Sequence, residues 1–246
     1  MISALLFSVL ATTQAKPATA HVDIKDDTVG TGPTVKDGDI VAVDYSGTLL
    51  NGTEFDSTAG KEPIQFMIGV GQGIKGWDMG LTGMRAGGKR ELTIPPSLAY
   101  GDKAVDSIPA NSTLHFTVTL LHIEPKIQVE IIAPGKGVVA KLGDRAAIYF
   151  AGGVKGGKTL FDTRDNGRKD PITLQIGERD LPIGFMASLI GMREGEKRKV
   201  TIPPQLAYGK AGVPPKDKGD IKAGSVIPPD STMEFTFELV KIERDK

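Results

Sequence analysis

The chain contains no cysteine and only three histidines, His21, His115 and His122, in 246 residues. The missing cysteine excludes disulfide staples, thiol nucleophiles, thiolate metal sites and lipid-modified cysteine anchors. Three scattered imidazoles make no metal cluster and read as surface residues, so the sequence calls for no metal and no cofactor. Lys and Arg together number 30, as do Asp and Glu, so no global field draws the protein to nucleic acid or a membrane surface. Tryptophan occurs once, at Trp77. No apolar run reaches the roughly 20 residues that would make a transmembrane segment.

One short apolar run is present, Ile2 to Ala11, followed by small residues around Ala15 and Ala20. It reads as a secretory signal peptide within a leader of residues 1–20. No Lys or Arg precedes it, and a frayed tail or truncated start is the other reading. The first reading makes the mature protein exported, periplasmic or secreted; the second leaves it cytoplasmic.

The dominant feature is an internal repeat. Residues 81–101 read LTGMRAGGKRELTIPPSLAYG and residues 189–209 read LIGMREGEKRKVTIPPQLAYG, with 15 of 21 positions identical at an offset of 108. Flanking anchors follow in both copies: Phe55-Asp56 with Phe161-Asp162, Gly76-Trp77 with Gly184-Phe185, and Ile108-Pro109 with Ile227-Pro228. The seam falls near Glu124-Pro125-Lys126, which divides the chain into residues 21–125 and 126–246. A length of this order suits two domains.

Each copy reads as mostly β. Ile40 to Tyr45, Arg90 to Ile94 and His115 to Leu120 are β-branched or alternating runs, with Phe116, Val118 and Leu120 on one face and Phe235, Phe237 and Leu239 repeating them. A short helix is expected over residues 75–84, where Trp77, Leu81 and Met84 share a face. Pro95-Pro96 and Pro203-Pro204 end strands. The fold class is therefore α+β, a twisted antiparallel sheet wrapped around one short helix in each domain. Arg85, Lys89 and Arg90, repeated as Arg193, Lys197 and Arg198, read as a solvated strand-and-turn face.

The aromatics of the first copy, Tyr45, Phe55, Phe66, Trp77, Tyr100 and Phe116, either pack a core or line a concave site for an uncharged ligand. Their order decides between the two. Tyr45-Ser46-Gly47, Phe55-Asp56-Ser57, Phe66-Met67-Ile68-Gly69, Ile74-Lys75-Gly76-Trp77, Gly83-Met84-Arg85, Ile94-Pro95-Pro96, Ala99-Tyr100-Gly101 and Ile108-Pro109 together resemble the FKBP family of peptidyl-prolyl cis-trans isomerases. The resemblance covers nearly all of residues 21–124 and, more weakly, 126–246. It implies two FKBP-like domains, prolyl-containing polypeptide clients and, as a ligand class, macrolides. It also implies a pocket floored by Trp77, in which Phe55, Phe66, Trp77 and Phe116 hold the proline ring. Tyr100 and the Ile108 N–H would hold the neighbouring carbonyl, Ile74 would offer its N–H, and Asp56 would pair with Tyr45. An Asp in this turn also suits a purely local backbone role, and both readings of Asp56 stand. Ile64, Gly73 and the short loop between Tyr100 and Ile108 depart from the family pattern and bear on peptide preference and macrolide affinity.

By the same resemblance the second pocket would be formed by Phe150, Phe161, Asp162, Leu174, Leu181, Phe185, Tyr208, Ile227 and Phe235. Phe150 replaces Tyr45, Tyr149 should face the other way, and Pro182 has no N–H to match that of Ile74. Phe185 leaves a smaller floor than Trp77. The loop over residues 209–226 is enlarged, with 11 more residues between Tyr208 and Ile227 than between Tyr100 and Ile108. The expectation is an isomerase working mainly through its first domain in the folding of exported proteins. The alternative is a non-enzymatic chaperone or scaffold that binds prolyl or apolar segments.

Overall fold

The structure is a computed structural model that describes residues 20–165, 168–178, 181–214 and 227–244. Residues 1–19 of the leader and 215–226 of the enlarged loop lie outside the described residues. In the first repeat the order is β1 (Asp23–Thr28), β2 (Ile40–Leu49), β3 (Glu54–Ser57), β4 (Ile64–Met67), α1 (Lys75–Leu81), β5 (Lys89–Ile94) and β6 (Leu114–Ile123). The second gives β7 (Gln128–Ala133), β8 (Arg145–Val154), β9 (Thr159–Asp162), β10 (Ile172–Gln175), α2 (Ile183–Leu189), β11 (Lys197–Ile202) and β12 (Met233–Glu243). Each repeat is an antiparallel six-stranded sheet with one short α-helix, the α+β class expected. Among the described residues no helix is long and apolar enough to cross a membrane.

The first sheet runs β1-β5-β6-β2-β3, with β4 on the same edge of β2 as β3 but further along it. The second sheet repeats this plan in the order β10-β8-β12-β11-β7, with β9 also on β8. Alternation sends Val41 and Val43 of β2, Leu92 and Ile94 of β5, and Val118 and Leu120 of β6 to one buried face. The helix packs closely on that face because it carries glycine there. A Cβ on Gly76 would lie 2.3 Å from Ile94, and one on Gly80 2.7 Å from Leu92. Helix α1 stops at Leu81, shorter than the sequence pattern suggests, because Thr82 leaves the helical region and Gly83 turns to φ 82°. Met84 still reaches the core, from beyond the helix.

Arg90 and Arg198 correct the expected solvated face. Arg90 shares the inward parity of Leu92 and Ile94 and is 8% exposed. Its Nη1 donates to the Gly80 carbonyl at the end of α1 (2.7 Å), and Nε and Nη2 donate to Asp26 of β1 (2.6 and 3.0 Å). The guanidinium thus satisfies a helix-end carbonyl while keeping its charge paired. Arg198 bonds the Ser188 carbonyl in the same way, but Ile131 lies opposite it on β7, and Glu196 supplies the carboxylate instead.

Two carboxylates make the fold acid-sensitive. The Arg90 guanidinium holds Asp26 below the usual carboxylate range, against the opposing effect of burial. Asp144 is lowered by its bidentate partner Arg244, with smaller help from the Lys141 N–H. A depressed folded pKa adds stability that is complete above the unfolded value of about 4 and is lost as pH falls through the folded value. Thermal melts between pH 7 and pH 2 are expected to show Asp26→Asn with a lower Tm at neutral pH and a shallower acid limb than the unaltered chain. Parallel acid limbs would contradict this.

Candidate functional site

A cavity of about 410 Å³ opens on the buried face of the first sheet. Backbone register builds it. Across β2 and β6, Tyr45 lies opposite Val118 and Gly47 opposite Phe116. Gly47 must be glycine, because a Cβ there would lie 2.7 Å from the Phe55 ring and 2.8 Å from Phe116. The two rings therefore meet over it edge to face, centroids 5.5 Å apart. The indole of Trp77, in the first turn of α1, meets Tyr45, Phe66 and Phe116 at 5.1, 5.5 and 5.4 Å, each close to perpendicular. This is the edge-to-face geometry that aromatic quadrupoles favour. Trp77 is only 6% exposed and forms the floor, while Tyr100, 39% exposed, stands at the rim.

One polar pair is built into these walls. The Tyr45 hydroxyl donates to Asp56 Oδ2, and Lys61 Nζ lies 3.8 Å from Asp56 Oδ1. Burial, then the bond to Asp56, pushes the Tyr45 hydroxyl well above the ordinary tyrosine range. Burial raises Tyr100 as well, helped by the negative charges of Asp106 and Asp56. Both hydroxyls therefore stay protonated across the physiological range.

Residues 32–121 and 137–240 match the family described as FKBP-type peptidyl-prolyl cis-trans isomerase. The chain belongs to that family. It is similar to FK506-binding protein 4 of Gibberella zeae, at 52% identity over 115 residues, which are 45% of this chain and 23% of that protein. It is also similar to peptidyl-prolyl cis-trans isomerase FKBP9 of Rattus norvegicus, at 37% identity over 220 residues, 87% of this chain and 36% of that one. Among solved structures, FkpA from Escherichia coli is 44% identical over 42% of this chain and 48% of its own, with a TM-score of 0.40. The chain thus spans well under half the length of these curated relatives.

Of the nine residues that the FKBP resemblance assigns to the first site, eight line the cavity: Tyr45, Phe55, Asp56, Phe66, Ile74, Trp77, Tyr100 and Phe116. Ile108, the ninth, is not among the lining residues. It is buried in the core beside the site, and its N–H donates to the Val105 carbonyl at 2.8 Å, with the Val105 N–H returning the bond to Ile108 at 3.0 Å. That N–H already has a partner and would have to leave or share it to hold a client carbonyl. Ile64 and Gly73, the two departures from the FKBP pattern, both line the cavity. Gly73 has a packing reason, since a Cβ there would lie 2.9 Å from the Phe66 ring. Three lining residues carried no sequence signal: Gln65, Gln72 and Gly177, the last from the second FKBP domain.

The second domain has the same frame with different contents. Phe150 lies opposite Phe237 and Gly152 opposite Phe235. With no hydroxyl on Phe150, Asp162 instead accepts the Arg164 N–H through Oδ1 at 2.8 Å. Tyr149 does point away, its hydroxyl bonded to the Lys169 carbonyl and its ring under Arg164. Phe185 packs on Phe150, Phe235 and Phe237 at 5.1, 5.6 and 4.7 Å. Phe161 stacks on Phe235. Phe237 was not anticipated in this role. It occupies the register position of Val118, and its ring fills the volume that the smaller Phe185 gives up. Pro182 is the N-cap of α2 as Ile74 is of α1, and it has no N–H to give. Leu174 and Ile227 are buried in the second core, with Leu181 and Tyr208 packed against it, and burial raises the Tyr208 hydroxyl.

Proposed function

We propose that the first FKBP domain catalyses rotation about X-Pro peptide bonds in polypeptide clients and that the second, without the hydroxyl and carboxylate pair, contributes binding only. The observation that carries this reading is the aromatic cavity floored by Trp77, with the Tyr45–Asp56 pair and the Tyr100 hydroxyl at its edge. The reaction makes and breaks no bond. Its barrier of about 18–20 kcal/mol is the loss of amide resonance, and uncatalysed exchange takes roughly tens to hundreds of seconds. Apolar walls suit the proline ring. They also disfavour the charge-separated planar amide relative to the twisted one, while the neutral, half-exposed Tyr100 hydroxyl is the donor this reading assigns to a client carbonyl. Membership of the FKBP family supports macrolides as a small-molecule ligand class for the same cavity. Export of the protein, and a role in folding exported chains, rest on the apolar leader.

The scaffold reading has one observation of its own. Edge strand β7 carries Val129, Ile131 and Ile132 exposed, where the matching edge β1 reads DIKDDT. An apolar edge suits pairing with an extended client strand.

Because no proton is transferred and both hydroxyls are pushed upward, kcat/KM is expected to be flat from about pH 6 to 9. A protease-independent assay across that range checks this, and a bell centred near neutrality would contradict it. To test the site itself, a proline-mimicking ligand is titrated while the emission of Trp77 is followed and isomerisation of a tetrapeptide is measured. A saturable emission change that parallels inhibition supports the assignment. Inhibition without any emission change would move the site away from Trp77.

A further inference from the structure

We infer that the second FKBP domain supplies one wall of the first domain's prolyl cavity and so sets which clients reach it. This rests on the isomerase reading above. Four observations place the wall on the β4 side. Gly177, in the turn after β10, lines the cavity together with Gln65, Gln72 and Gly73 of the first domain. The Gln65 Nε2 donates to the Gln205 carbonyl in the second domain at 2.9 Å and to Glu124 Oε1, in the connector, at 2.8 Å. Ile40, at the start of β2, is 7% exposed and buried in the core cluster of the second domain, with Met67 packed against that cluster. Lys126 Nζ lies 3.8 Å from Asp39 Oδ1.

Strand parity explains the arrangement. On β4, Phe66 points to the first core, so Gln65 and Met67 take the other face of the strand; Gln65 still borders the cavity at this edge, and Ile40 lies directly across from Met67 on β2. The first domain thus leaves an apolar and amide-bearing strip beside its pocket, and the second covers it. The seam is partly polar, and it buries Glu124 Oε2 without a hydrogen-bond partner among the described residues. That is the character of a docked contact rather than a fused core. A client whose chain leaves the cavity on the β4 side runs past the 177 turn. Short prolyl peptides pass it freely, whereas a bulky or folded segment on that side meets it.

The full chain lacks cysteine and has one tryptophan, which gives a clean test. The exposed Glu178 is changed to Cys and coupled to a dansyl acceptor, with Trp77 as donor. Expected are strong energy transfer from Trp77 and a drop of at least about threefold in the ratio of kcat/KM on a proline-limited refolding protein to that on a tetrapeptide. Met67→Ser, which trims the seam without adding charge, is expected to move the same ratio upward. Weak transfer in the labelled chain overturns the inference. So does strong transfer with an unchanged ratio in both variants, because the wall would then be near but not selective. Tetrapeptide isomerisation by the unaltered chain is measured alongside. Its absence would overturn the isomerase reading, while the energy transfer still reports on the wall.

Discussion

Asp56→Ala is expected to lower kcat/KM for X-Pro isomerisation by about tenfold or more, a loss of about 1.4 kcal/mol of transition-state stabilisation. Asp162→Ala in the second domain is expected to leave it within about twofold. The two aspartates occupy matching places after Phe55 and Phe161, yet only Asp56 accepts a hydrogen bond from an aromatic hydroxyl in the cavity. Removing it frees the Tyr45 hydroxyl to rotate and takes a fixed negative charge from the rim beside Tyr100. Tyr45→Phe should reproduce part of the loss, since it leaves Asp56 charged but removes its partner. Equal losses from Asp56→Ala and Asp162→Ala would show that the two sites share the work. No loss from Asp56→Ala would reduce that residue to its turn.

The largest stability effect is expected from Phe237→Ala. The ring is fully buried and contacts Phe150, Phe185 and Phe235. Truncating such a ring typically costs about 3–5 kcal/mol. Trp77 belongs to the first domain alone, so in urea its emission reports that domain while far-UV circular dichroism reports both. The circular-dichroism transition should split and its early part should move to lower urea. The Trp77 transition should shift much less, by the amount that the seam at Ile40 and Met67 transmits. Equal movement of both signals would show a single cooperative unit. An unchanged early transition would show that Phe237 is not what fills the second core.

Periodicity and the repeat made the architecture legible. Alternation in residues 115–120 and the recurrence at an offset of 108 locate the central strands and the helix, because burial on one face demands a fixed period. Eight cavity residues were legible through resemblance, since ring positions depend on register, and register is tied to the alternation. Other features needed the folded chain. Charge suggested that Arg90 faces water, but its parity with Leu92 and Ile94 puts it inside, where Asp26 and the Gly80 carbonyl receive it. The exchange of Trp77 and Val118 for Phe185 and Phe237 is a volume compensation across two elements. Its one sequence trace is the second phenylalanine in β12. The Ile108 N–H turned out to close a local turn, and no residue pattern distinguishes that from a free donor. Gly177 lies 100 residues beyond Trp77 in the chain, and only docking of the second domain brings it to the cavity.

The central claim is that the aromatic cavity of the first domain lowers the barrier to X-Pro rotation. Exchange NMR on an X-Pro tetrapeptide with a catalytic amount of the full chain tests it without a coupling protease. Cis–trans exchange on a sub-second timescale, abolished by a proline-mimicking ligand that also changes Trp77 emission, is the predicted result. Exchange that stays at the uncatalysed rate, roughly tens of seconds or slower at 25 °C, would contradict it.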